Sequence, residues 1–255
     1  MVGMQRYFLE ADARIAPDRF RVAGEDAHHV LRVLRMRQGD RFGIVSEGET
    51  YEVEIVDVQE DEVIVHVIAQ MASASEPPFA VTLVQGLPKG ERLDELLMHG
   101  TEVGVTQFVI FEGVRSVARW DEKKRTAKLE RCQRIVKEAA EQSQRNVVPR
   151  VAYAPDLASA LQQSAGYLIA PYEVQGQGLP PLKLALRQLN EKRDRLLAEG
   201  IRLVIGPEGG LDGAEVQAIQ AQEGQLVTLG ARILRTETAG VVTVAQLLYE
   251  LESER

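Results

Sequence analysis

Two hydrophobic rhythms divide this chain. Between residues 41 and 68 lie three short strand-like runs rich in β-branched and aromatic residues, 41–45, 51–58 and 63–68. The runs are broken by Ser46-Glu47-Gly48 and by the acidic Glu60-Asp61-Glu62. Such runs between turn residues predict strands. Upstream the spacing is helical: Asp26 can cap a short helix with Val30, Leu31 and Leu34 on one side and His28, Arg32 and Arg35 on another. The pattern predicts a small β-rich module, a barrel, carrying one basic helix. Small residues and prolines between Met71 and Pro78 suit a linker, which divides the chain into domains 1–72 and 73–255.

Beyond Pro78, strands expected at 79–86, 106–111, 166–170, 201–205 and 226–229 alternate with helices expected at 91–103, 122–145, 182–199, 214–222 and 239–251. Such alternation predicts an α/β domain with a mostly parallel sheet covered on both faces. In the long helix Leu129, Cys132, Val136 and Ala139 form an apolar stripe. Arg134–Glu138 and Glu141–Arg145 are spaced for ion pairs on a solvated face. Gln142, Arg145 and Asn146 cluster where that helix should stop. The last helix is apolar over more than half its circumference, through Val241, Val242, Val244, Leu247, Leu248 and Leu251. It should be buried on more than one side, within the domain or against a second subunit.

Composition narrows the field. With 45% hydrophobic and 27% charged residues among 255, the chain is an ordinary globular protein. No apolar run approaches the roughly 18 residues of a membrane span, and the first residues lack a secretory signal, so a cytoplasmic protein is expected. Cys132 is the one cysteine, and His28, His29, His66 and His99 lack the helical spacing of a zinc site, so no metal is expected. A net charge of −8 argues weakly against nucleic acid, but its distribution matters more. Arg32, Arg35, Arg37 and Arg41 face only Asp40, and from Arg115 to Lys137 nine bases stand against Asp121, Glu122 and Glu130. Two basic patches on an acidic body fit local phosphate contact, and solvated helix faces fit the same pattern.

Two loops carry the candidate chemistry. The apolar run 201–205 enters Gly206-Pro-Glu-Gly-Gly210, followed by a helix opening near Asp212. The loop lacks the Lys-Ser/Thr of a phosphate-binding P-loop and the spacing of the dinucleotide fingerprint. A plain turn and a ligand loop both remain open, glycine permitting close backbone approach and positive φ. A second short strand ends at Gly230, and Arg232, Arg235, Thr236, Glu237 and Thr238 lead into the last helix. Thr236 or Thr238 can cap that helix, with Glu237 favoured at its start, but capping leaves the arginines unexplained. Two glycine-ended strands side by side suggest a crevice for a small ligand.

Gly206-Pro-Glu-Gly-Gly210 and Leu229-Gly-Ala-Arg-Ile-Leu-Arg-Thr-Glu-Thr-Ala239 resemble the two late motifs of the knotted SPOUT methyltransferases. Gln5-Arg6-Tyr7-Phe8, His29-Val-Leu-Arg-Val-Leu-Arg35 and Thr101-Glu-Val-Gly-Val105 extend the resemblance, as do Arg115-Ser116 and Glu141-Gln-Ser-Gln-Arg-Asn146. Together they resemble the ribosomal RNA small-subunit methyltransferase E family over essentially the whole chain. The resemblance implies an N-terminal PUA-like RNA-binding β-barrel and a C-terminal SPOUT α/β domain with a deep trefoil knot. It also implies a homodimer that uses S-adenosylmethionine to methylate N3 of a uridine in small-subunit ribosomal RNA, in the assembled or nearly assembled subunit.

Residue by residue, the resemblance assigns the cofactor to Ile205, Gly206, Pro207, Glu208, Gly209 and Gly210, and to Leu229, Gly230, Ile233, Leu234, Arg235 and Thr236. Loss of the N3 proton calls for a base, for which Glu237 is the candidate, and for a cation, Arg235 or Arg145. RNA contacts fall to Arg6, Arg32, Arg35, Arg115, Arg119 and Asn146, with Tyr7 or Phe8 available for stacking. Where relatives often carry lysine before Glu-Leu-Gly-Val, this chain has His99. A SPOUT ribose 2′-O-methyltransferase and a non-catalytic RNA-binding assembly factor are the competing readings. A nucleotide-binding enzyme would need a phosphate signature that is not found.

Overall fold

The computed structural model describes residues 4–72, 75–173 and 178–252, and positions 73 and 74 of the expected linker lie outside them. The chain forms two compact units, Met1–Glu76 with Ala140–Val148, and Pro77–Ala139 with Pro149–Arg255. The division differs from 1–72 and 73–255 chiefly because residues 140–148 pack with the first unit.

The first unit is a six-stranded sheet of β1 (Arg6–Leu9), β2 (Arg14–Ala16), β3 (Arg19–Val22), β4 (Arg41–Ser46), β5 (Glu49–Gln59) and β6 (Glu62–Met71). Its order is β1-β4-β5-β6-β3-β2, with β1 parallel to β4 and the other pairs antiparallel. The expected strands form: Val53, Ile55, Val63 and Val65 point into a core with Tyr7, Phe20, Phe42 and Ile44. The turn between β4 and β5 places Glu47 at φ 52° and Gly48 at φ 82°, the twist a two-residue hairpin needs. The basic helix is shorter than its spacing implies. α1 (Gly24–His28) begins at Ala23 with no side-chain cap, so Asp26 lies inside it rather than capping it. A π turn over His29–Val33 follows, and Leu34 N bonds back to His29 O. The wider turn rotates Leu34 outward, to 41% exposed, while Val30 is buried.

The second unit is a parallel sheet of β7 (Val81–Gly86), β8 (Gln107–Phe111), β9 (Arg150–Ala154), β10 (Tyr167–Pro171), β11 (Ile201–Ile205) and β12 (Gln225–Val227). Its order is β12-β10-β11-β7-β8-β9, and every pairing is parallel. Seven helices accompany it among the described residues: α2 (Arg92–Glu102), α3 (Arg125–Gln142), α4 (Leu157–Gln162), α5 (Leu182–Asn190), α6 (Arg193–Glu199), α7 (Gly213–Ala221) and α8 (Thr236–Leu251). Every residue of β7 is buried, as a central strand covered on both faces requires. Val84 joins Val204, Leu157, Leu161 and Ile219 under α4 and α7. Leu83 and Gln85 instead approach Gly240 of α8.

Several expected elements change. The single helix at 182–199 is two, α5 and α6. The helix at 122–145 is a 3-10 turn, Glu122–Lys124, followed by α3, and its run ends before Gln144 at φ 60°. Strands β1, β2, β3 and β9 and helix α4 were not among the expected elements. α8 starts three residues before 239, because Thr236 is held at its first turn by contacts from elsewhere in the chain.

Candidate functional site

β11 and β7 are neighbours at the centre of the parallel sheet. The glycine loop leaves the carboxyl end of β11, but the second motif loop leaves edge strand β12, with β10 between the two, so the motif strands are not side by side as expected. After Ile205 the glycine loop is closed by Gly210 N donating to Pro207 O at 2.8 Å, with Gly210 at φ 72°. α7 then opens with a capping box between Asp212 and Glu215. Glu215 is buried, and its Oε1 accepts from Val114 N at 2.9 Å, tying the turn after β8 to the glycine loop. Arg115 strengthens the tie by donating to Gly209 O at 3.3 Å. A Cβ on Gly86 would stand 2.5 Å from Pro207 N, and one on Gly209 would stand 2.8 Å from Arg115 O. These two glycines therefore serve contact between loops of the protein itself. Gly210 and Gly230 (φ 110°) have open space where a Cβ would stand.

The loop after β12 is open: Gly230, Arg232 and Arg235 are exposed, and Ile233 is 84% exposed. The expectation that Thr236 or Thr238 caps α8 is corrected, since the N-cap is Arg235 and no side chain caps it. Thr236 is buried as the first helical residue. Its hydroxyl donates to Gly206 O at 2.6 Å and accepts from Gln85 Nε2 at 2.7 Å. The relay joins the end of β7, the glycine loop and the start of α8. Gln85 escaped the sequence reading, though a glutamine inside the run Val81-Thr-Leu-Val-Gln85 was the available signal. Its Oε1 is buried and has no hydrogen-bond partner among the described residues.

Glu237 follows, 9% exposed, in the first turn of α8. Its Oε1 lies 3.7 Å from Arg92 Nε, while its Oε2 is buried without a partner among the described residues. Arg92, also missed, donates to Glu208 Oε1 at 2.9 Å, and Lys89 N donates to the same oxygen at 3.0 Å. One arginine thus touches the glutamates of both motifs. Burial would raise the Glu208 carboxyl, but the N–H groups of Lys89 and of Glu208 itself, with Arg92, hold it below its ordinary value. A cavity of 190 Å³ is lined by Glu237, Thr238, Val241, Val242, Glu95, Leu96 and His99. His99 Nδ1 sits 3.0 Å from Glu102 Oε2.

The remaining candidates separate. Arg145, offered as an anion stabiliser, is 1% exposed, and its NH2 lies 2.6 Å from Glu76 Oε2. Arg6, offered to RNA, is 7% exposed and donates to the carbonyls of Gln144 and Arg145 and to Asn146 Oδ1. Burial lowers its pKa against the pull of Glu76. Both assignments are corrected: these guanidiniums fasten residues 144–147 inside the first unit and do not face solvent. Tyr7 is likewise core, its hydroxyl 2.8 Å from His29 Nδ1, so it offers no face for stacking; Phe8 is half-buried. Asn146 accepts from Thr50 Oγ1 at 2.8 Å and lines a groove of 470 Å³ with Gln70 and Met71. Arg32 and Arg35 are exposed, as are Arg115 and Arg119, the last bound to Glu112. Among the described residues no group of three metal-ligating side chains occurs, and no helix is long and apolar enough to cross a membrane.

Comparison with known proteins agrees with this geometry. The profile of an RNA methyltransferase domain matches residues 75–248, and that of an RNA methyltransferase PUA domain matches residues 22–68. The ribosomal RNA small subunit methyltransferase E of Bacillus subtilis (strain 168) is 38% identical over 98% of both chains. That of Synechocystis sp. is 35% identical over 89% of this chain and 71% of its own. The crystal structure of the Neisseria gonorrhoeae enzyme of that name, bound to S-adenosyl methionine, is 27% identical, covers 96% of this chain and 97% of its own, and superposes with a TM-score of 0.78. With likeness running through both units and through both motif loops, the chain belongs to the ribosomal RNA small subunit methyltransferase E family, with a PUA-like first unit and a SPOUT-type α/β second unit.

Proposed function

We propose that this protein transfers a methyl group from S-adenosylmethionine to N3 of a uridine in small-subunit ribosomal RNA. The observation that carries the reading is the meeting of the glycine loop, the Gln85–Thr236–Gly206 relay and the buried, half-partnered Glu237 at one end of the sheet. The residues fit the cofactor. The loop from Leu229 to Arg235 leaves Gly230 uncrowded and Ile233 exposed, beside Ile205 to Gly210, so backbone and apolar surface are both open to an adenosine. When bound, S-adenosylmethionine supplies a methyl group already activated by its sulfonium. The protein's share is positioning and proton handling. Thr236 and Gln85 hold Gly206 in place. Glu237 Oε2 would take the N3 proton, freeing the nitrogen lone pair to attack the methyl carbon, whose bond to sulfur breaks as the neutral thioether leaves. Arg92 beside Glu237 and the exposed Arg235 are the cations near that event.

The first unit is read as the RNA-holding domain and the second as the catalytic one, with Arg32, Arg35, Arg115, Arg119 and Asn146 contacting RNA. The substrate is the assembled or nearly assembled small subunit, and the setting is the cytoplasm. Return of the chain from edge strand β12 to α8 against β7 and β11 supports the trefoil threading. Thr238, Val242, Ala245 and Tyr249 leave one face of α8 open, Tyr249 at 91%, and this face supports a homodimer. The test incubates the protein with labelled S-adenosylmethionine and small subunits lacking the modification, then identifies the labelled nucleoside. The expected product is 3-methyluridine. A 2′-O-methylated nucleoside overturns the acceptor, and absence of both transfer and cofactor binding overturns the reading.

A further inference from the structure

The turn after β8 carries more order than a surface loop requires. Glu112 accepts from Trp120 N at 2.7 Å and from Arg119 NH1 at 3.1 Å. Burial pushes this carboxyl up, but those two bonds and the Tyr153 hydroxyl hold it below its ordinary value. Trp120 stacks on Tyr153, with ring centroids 5.5 Å apart and planes at 12°. Arg125 Cζ then stands 4.4 Å over the Tyr153 ring, and Lys128 Nζ stands 5.4 Å over Trp120. Aromatic faces place both cations, at the start of α3, without using their charge on a carboxylate.

The surrounding charge is unbalanced. Among the described residues, Arg115, Lys123, Lys124, Arg125 and Lys128 form no ion pair, whereas Arg119 is bound to Glu112. The acids of the segment are Asp121, whose side chain accepts from Lys123 N as a helix cap, and Glu122, against six bases. Arg125 Nε is buried with no hydrogen-bond partner among the described residues. In the same segment Val114 and Val117 are 63% and 68% exposed. The segment is also fixed to the glycine loop, through Arg115 to Gly209 O and through Val114 to Glu215.

We propose that residues 114–128 form a strap that grips the sugar-phosphate backbone of the substrate RNA beside the methyl-transfer loops, with Arg125 and Lys128 as its preset phosphate contacts. Stacked rings fix the two cations before RNA arrives, so less side-chain freedom is lost on binding. The exposed valines meet sugar and base edges, and the bond to Gly209 sets the strand's position relative to the cofactor. The inference rests on the proposed function, since the strap's partner is the RNA of that reaction.

Filter binding of a small-subunit ribosomal RNA fragment, repeated across salt concentrations, tests it in the full chain. Arg125→Gln with Lys128→Gln should weaken binding at least tenfold and lower the salt slope by about 2, one for each phosphate contact. Cofactor affinity by calorimetry and the melting temperature should match wild type. Lys183→Gln with Arg187→Gln on α5 removes the same charge elsewhere and should leave the slope alone. Unchanged affinity and slope in the strap variant overturn the strap, as does an equal loss in the α5 variant. Wild-type protein that transfers no methyl and binds no cofactor overturns the function itself, which separates the two failures.

Discussion

Glu237 shows how one position reads differently from sequence and from structure. Along the chain it is an acid in the first turn of a helix, where the dipole alone can account for it. In space it is buried, with Oε1 near Arg92 and Oε2 without a partner among the described residues. A buried carboxylate oxygen left unpaired is costly unless something outside the chain uses it. Glu237→Gln should therefore lower methyl transfer by about 10²–10⁴-fold while leaving cofactor affinity unchanged, read by single-turnover transfer and calorimetry. Near-normal transfer would return Glu237 to a helix-start role. The arginines divide in the same way. Arg6 and Arg145 look like surface cations in a linear reading, yet both are buried around residues 144–147.

Elements were legible where they were long and periodic or strongly apolar. Strands β5 and β6, the central β7 and β11, and helices α2 and α8 all lie close to where the pattern puts them. β9 and α4 were not legible, because Arg150-Val-Ala-Tyr-Ala154 lacks the apolar run that marks β11, and six residues give α4 less than two turns. The join between elements was less visible still. Gly86 ends β7 because Pro207 of the glycine loop passes against it. Gly86→Ala should destabilise the protein by about 1–3 kcal/mol, since backbone must shift to admit the methyl, and thermal melting measures it. The glycine loop is also acid-sensitive. Glu208 is held below its ordinary 4.5, so its contribution is complete above pH 4.5 and is lost as pH falls through the lowered value. Melting profiles should show acid destabilisation in wild type that Glu208→Gln reduces; identical profiles would remove this glutamate from the loop's anchorage.

At the scale of the molecule, α8 has two kinds of surface. Gly240, Thr243, Val244, Leu247 and Leu251 pack inward, while Ala245 and Tyr249 stand exposed with Val241 and Val242 between. The sequence left open whether this apolar helix is covered within its domain or by a second subunit. The structure covers one side and leaves the other to the proposed dimer. Sedimentation should give twice the 28.3 kDa of one chain, and Val242→Glu should shift it toward one. A wild-type monomer would overturn the dimer.

By itself the sequence determined the two rhythms, the parallel α/β class of the second unit, both motif loops and the family they mark. These are local properties, since period, turn chemistry and motif wording each lie within a short stretch of chain. Tertiary structure decided which side chains those stretches share. Gln85 meets Thr236 across 151 positions, and Arg92 meets Glu208 across 116. Arg6 reaches residues 144–146, and Trp120 stacks on Tyr153. Such pairs form where a folded sheet brings strand ends together, and no local pattern records a partner so distant in the chain.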